Sequence, residues 1–146
     1  MTVHIVKLSV GTESIEDLQR WQRSRREASK HQTGRDEVYH TTRMVPKRQG
    51  DVLDGGSLYW VIKGMIQVRQ RIVGFREGAK ADGTRCCLIM LDHYLQMVRP
   101  APRRAFQGWR YLDPVDAPAD LTGTDDGDLK NLPPKMRREL VELGLL

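Results

Sequence analysis

Three β-prone runs follow one another, the first two directly and the third after a short connector: Ser57–Gly64, Met65–Phe75 and Thr84–Leu91. The last is apolar on both faces except at Arg85, the pattern of a strand buried inside a sheet. Asp82-Gly83, ahead of the third run, supplies a tight hairpin turn, because glycine takes up positive φ without a steric penalty. A sheet is therefore the centre of this fold. Val3–Leu8 and Glu37–Met44 read as further strands, and Gln96–Val98 and Gly108–Leu112 each add a short one.

Helical signals flank these runs. Ser14 stands three residues before Asp17 in an imperfect capping box, opening a helix from Ile15 to about His31 with Ile15, Leu18 and Trp21 on one stripe. Arg20, Arg23, Arg25, Arg26 and Lys30 fill its outer side as a solvated face. Pro46 suits the start of a short helix that ends near Leu53, ahead of Gly55-Gly56. Pro133–Leu143 reads as a closing amphipathic helix. The sum is an α+β fold, a small mixed or antiparallel sheet curled into a partial barrel with flanking helices.

At 146 residues the chain suits one domain, expected over 1–121, with 122–146 as an acidic connector and short helix. No apolar run approaches the ~20 residues that cross a bilayer, and the first residues lack the pattern of a secretory signal. Cys86 and Cys87 are neighbours and cannot staple a scaffold, so a cytoplasmic protein with no membrane partner is expected. The net charge of +5 conceals an asymmetry: residues 1–111 carry 20 Lys and Arg against 11 Asp and Glu, and residues 112–146 carry 4 against 8. A basic body with an acidic tail suits a partner that is a polyanion.

Signals for catalysis are sparse. His4, His31, His40 and His93 are scattered singly without the spacing of a metal site, so neither metal nor cofactor is expected. There is no Gly-x-Ser-x-Gly elbow and no phosphate-cradling glycine loop, since Gly55-Gly56-Ser57 follows a helix and precedes a strand.

Signals for binding are stronger. Residues 99–111 contain four arginines and three aromatics without an acid, and Pro100 and Pro102 keep the stretch out of a helix. Alternation in the β-prone region places Tyr59, Lys63, Gln67, Arg69 and Arg71 on one face, resembling platforms that stack single-stranded nucleic acid. Arg43, Lys47 and Arg48 form a third cationic group. On this reading the lysines and arginines at 43, 47, 48, 63, 69, 71, 103, 104 and 110 meet phosphates. Tyr59 and Trp109 stack on bases, Gln67 and Gln107 read base edges, and the partner is RNA. The competing reading makes the rings core residues and the cations a solvated rim.

Four blocks resemble those of an uncharacterised family of short bacterial proteins, a domain of unknown function: Thr42-Arg-Met-x-Pro-Lys-Arg, Leu53-Asp-Gly-Gly-Ser-Leu-Tyr-Trp-Val-Ile-Lys-Gly, Gln67-x-Arg-Gln-Arg-Ile and Phe106-Gln-Gly-Trp-Arg-Tyr-Leu. The likeness runs from Val3 to about Leu121 and carries no activity with it. More loosely, Gly64-Met-Ile-Gln-Val-Arg69 is similar to the signature of the PUA-like group, which includes ASCH and EVE domains. That likeness implies a small β-barrel. Gln67 stands where the group often has Glu, and Met65 where a lysine usually follows the glycine. These departures weaken an amidohydrolase-like chemistry more than RNA binding.

Two other classes compete with an RNA-binding module. A small hydrolase acting on a nucleotide, modified base or other small anion would use Lys63 as acid/base or nucleophile, Thr42 as hydroxyl partner and Asp54 as carboxylate. A protein-interaction subunit would use Trp60, Trp109 and the last helix as a dimer face.

Overall fold

The computed structural model describes residues 1–121. Strand β1 (His4–Leu8) leads through a loop to helix α1 (Ile15–Thr33). Ser14 caps α1 by accepting from the backbone N–H of Asp17 at 3.1 Å, and Gly34 ends it in the left-handed region. Then come β2 (Val38–Thr42) and the short helix α2 (Gln49–Leu53), which starts three residues beyond Pro46. Strand β3 (Ser57–Ile62) turns through Lys63-Gly64 into the fifteen-residue β4 (Met65–Ala79). Lys63 and Gly64 have φ of 51° and 76°, the double positive φ of a two-residue hairpin turn. Strand β5 (Arg85–Leu91) follows the Asp82-Gly83 turn, and β6 (Gln96–Pro102) and β7 (Trp109–Leu112) complete the sheet. The closing helix expected at 133–143 and the connector that precedes it from 122 lie outside the described residues.

The seven strands form one mixed sheet in the order β2-β5-β4-β3-β1-β7, with β6 also on β4. Strand β1 runs parallel to β3, and the remaining pairings are antiparallel. The sheet does not close into a barrel, which corrects the curled architecture expected from sequence. Strands β2 and β7 end the order without pairing with each other, so the sheet stays open. A register break between Ile72 and Gly74 divides β4 into a first half shared with β3 and β6 and a second half shared with β5.

Both faces of the sheet are covered. On one, Ile5, Leu58, Trp60, Ile62, Val68 and Trp109 pack with Leu18 of α1. On the other, Val6, Tyr59, Val61, Ile66, Val98 and Leu112 form a second cluster. The chain itself supplies the cover of that second face: Phe106 and Ala117 pack against it, and Asp120 bridges to Val98 in β6. All six residues of β3 are consequently buried.

Candidate nucleic-acid interface

The structure keeps the alternation that sequence implied but buries both faces of β3, the Tyr59 face as well as the Trp60 face. Tyr59 and Arg69 do stand opposite each other on β3 and β4. Tyr59, however, is only 4% exposed, its ring 5.0 Å from that of His4. Trp109 is 5% exposed and donates its indole N–H to the carbonyl of Met44 at 2.7 Å. Neither ring is available to stack on a base, because residues 103–121 and the loop after β2 cover the faces on which they lie. Trp60, suggested for a dimer face, is also sealed in the core.

Two further platform residues are engaged within the chain. Gln67 donates to the carbonyl of Ile62 at 2.7 Å. Arg69 grips Asp120 with two bonds of 2.7 Å and donates to the Ser57 hydroxyl at 3.0 Å. This pairing holds the Asp120 carboxyl below its ordinary range and raises the Arg69 pKa. Asp120 escaped the sequence reading, because no periodicity around it marks a partner. Arg71 is exposed, opposite Ser57 toward the far end of β3 from Lys63.

The other cations flank β7 on the two sides of the sheet. The side chains of Trp109 and Tyr111, 4.8 Å apart edge to face, fasten the loop after β2 to this strand. The Tyr111 hydroxyl accepts from the backbone N–H groups of Lys47 and Arg48, each at 3.0 Å, and the Arg48 guanidinium lies 5.5 Å from the Tyr111 ring. Across the strand, Arg103 and Arg110 lie 5.8 and 5.4 Å from the ring of Phe106. The backbone N–H of Arg103 donates to the carbonyl of Gly64 at 2.8 Å, which ties the Lys63 turn to the same end of the sheet.

Arg43, Lys47, Lys63, Arg104 and Gln107 are exposed here. Arg48 pairs with Asp51 at 3.0 Å. Arg110 donates to the carbonyls of Gln107 and Trp109. None of Arg43, Lys47, Lys63, Arg103, Arg104 and Arg110 has a carboxylate within 4.0 Å among the described residues. The arrangement can hold phosphates with forked and point-like donors, while offering one half-buried ring, Phe106, already under two guanidinium groups.

The residues considered for catalysis are not assembled. Lys63 follows the last residue of β3 and Asp54 precedes its first, so they stand about 20 Å apart at ~3.3 Å per residue. Asp54 is occupied at the other end, accepting from the Thr2 hydroxyl at 3.2 Å. Thr42 is buried opposite Cys87. Among the described residues no three His, Cys, Asp or Glu side chains cluster so as to hold a metal, and no helix is long and apolar enough to cross a membrane.

No match was found among curated proteins or among solved structures. A family model described as a protein of unknown function, DUF1489, matches residues 5–146, and the chain belongs to that family.

Proposed function

We propose that this protein is a cytoplasmic RNA-binding module that grips phosphates through the cations gathered around β7, without reading base sequence. The observation that carries the reading is the fastening of two distant basic stretches by Trp109 and Tyr111: the loop holding Arg43, Lys47 and Arg48, and the stretch holding Arg103, Arg104 and Arg110. Lys63 joins them through its turn. With Tyr59 and Trp109 buried, phosphate contacts dominate, and such contacts position a strand without specifying it. The PUA-like likeness is not needed for this reading, since Gln67 and Arg69 of its motif are spoken for inside the chain.

The test is binding of a fluorescein-labelled single-stranded RNA of mixed sequence, followed by anisotropy from 50 to 200 mM salt. A band that neutralises about four phosphates gives a log–log salt slope of about −3 on a single strand. Arg103→Glu with Arg110→Glu is expected to weaken binding at least tenfold and to flatten the slope. Absence of RNA retention at low salt overturns the reading.

A further inference from the structure

We infer that the pocket enclosed by α1, β2 and the end of β1 binds a small monocarboxylate with an aromatic or apolar body, its carboxylate paired with Lys7. The pocket measures about 190 Å³ and is lined chiefly by Leu8, Val10, Leu18, Trp21 and Trp60, with Lys7 and His40 among the polar groups. Apolar cavities of about 150 Å³ hold a benzene-sized guest, so this one admits a single ring with a short acid.

Three observations, one on Lys7 and two on His40, point to the same ligand class. First, Lys7 is half-buried, and its ammonium has no carboxylate within 4.0 Å among the described residues. Burial lowers its pKa, the mark of a cation in want of a counter-charge. Second, His40 Nε2 is a buried side-chain nitrogen with no hydrogen-bond partner among the described residues. Buried polar groups are almost always satisfied, so this nitrogen, on a ring that lines the pocket, is short of a partner. Third, the charges acting on His40 are all positive: Lys7 and, more weakly, Arg25 oppose its protonation, which burial already disfavours. No acid lines the pocket. A positive, acid-free pocket selects an anion and rejects an amine.

The remaining walls give the body of the ligand its place. Trp60 is fixed by its indole N–H, which donates to Gln70 at 3.1 Å, and by the His40 ring, edge-on at 5.4 Å. Trp21 is 39% exposed with Arg25 4.7 Å over its ring, an indole left at the rim where a flat guest can cover it. The Ser9 and Thr12 hydroxyls bond each other at 2.6 Å at the loop end of the pocket.

The inference stands apart from RNA binding, and calorimetry with defined probes tests it. Phenylacetate, phenylacetamide and phenethylamine share a ring and differ in charge. The full chain is expected to bind phenylacetate saturably, at least tenfold more tightly than the amide, with no heat from the amine. Lys7→Met should bring acid and amide to the same affinity, and Lys7→Arg should keep the preference. Both variants are first checked for an unchanged urea midpoint, and RNA affinity, read in parallel, should persist in Lys7→Arg. Failure of phenylacetate to saturate overturns the inference. So does equal affinity for acid and amide in the unaltered protein, or a preference that survives Lys7→Met.

Discussion

Gln22 of α1 and Gln70 of β4 bond amide to amide inside the protein, each donating to the other, at 2.8 and 2.9 Å. Gln70 also accepts from the Trp60 indole and donates to the carbonyl of Asp92 at 2.7 Å, so both lone pairs and both N–H bonds of its amide are used. The pair is 4% and 0% exposed and joins the helix to the centre of the sheet. Removing Gln70 alone leaves Gln22 and the Trp60 indole buried without their partner and frees the part-buried carbonyl of Asp92. Gln70→Leu is therefore expected to cost about 3 kcal/mol and Gln22→Leu about 1–2 kcal/mol. The double variant should cost less than their sum, because the orphaned partner is gone as well. A double-mutant cycle from urea midpoints measures the coupling; strict additivity would contradict the account.

Stability should fall as the solution is acidified through the histidine range. Burial holds the His40 pKa down at about 4 against 6.5 in the unfolded chain. His4, whose Nδ1 accepts from the backbone N–H of Ser57 at 3.0 Å, is shifted the same way by burial and by Arg69. Between pH 6.5 and 4 the unfolded chain takes up protons that the folded one refuses, so the stabilisation is complete above pH 6.5 and lost on descent to 4. The His40 share is ~3 kcal/mol at most. Urea unfolding across this range should show a slope that His40→Gln reduces.

Asp120→Asn should loosen the cover over Tyr59. The two-pronged bond from Arg69 is partly exposed, and its contribution is discounted accordingly to about 1 kcal/mol. The sharper readout is limited proteolysis, with cleavage within 113–121 accelerated while the core strands stay protected. Unchanged cleavage would mean that the Val98–Asp120 bridge and the Gln96 bond to the Leu121 carbonyl hold the segment without the ion pair.

Gly56 tolerates no side chain. A Cβ there would run into the backbone carbonyls of Val52 and Val3, and its own N–H donates to Val52 at 2.8 Å. Backbone cannot yield as a side chain can, so Gly56→Ala is expected to cost ~3 kcal/mol or more. Gly50→Ala, in α2 with open space around it, should be neutral or slightly stabilising. Thermal unfolding of the two variants separates crowding from a general intolerance of alanine.

Much of the framework was legible in the residues. The Asp82-Gly83 turn forms as expected, with the Gly83 N–H bonded to Lys80 and Asp82 accepting from the Thr84 N–H. Ser14 caps the helix it was expected to open, and Leu18 is buried from the expected stripe. The same helix also shows the limit: Trp21 is exposed, and the buried position one residue on is Gln22. A hydropathy stripe ranks glutamine as solvent-facing, and only a second buried amide on another strand makes it a core residue.

By itself, the sequence determined what depends on near neighbours: caps, turns, the period-two alternation of β3 and β4, and the excess of cations. The tertiary structure alone decided that the Tyr59 face is covered as well as the Trp60 face, because alternation distinguishes two faces without ranking their exposure. Residues 103–121 fold back over the Tyr59 face, Arg69 finds Asp120 fifty-one residues away, and Lys7 meets His40 across two strands that do not pair. These contacts depend on long-range burial and pairing, which leave no periodic trace along the chain.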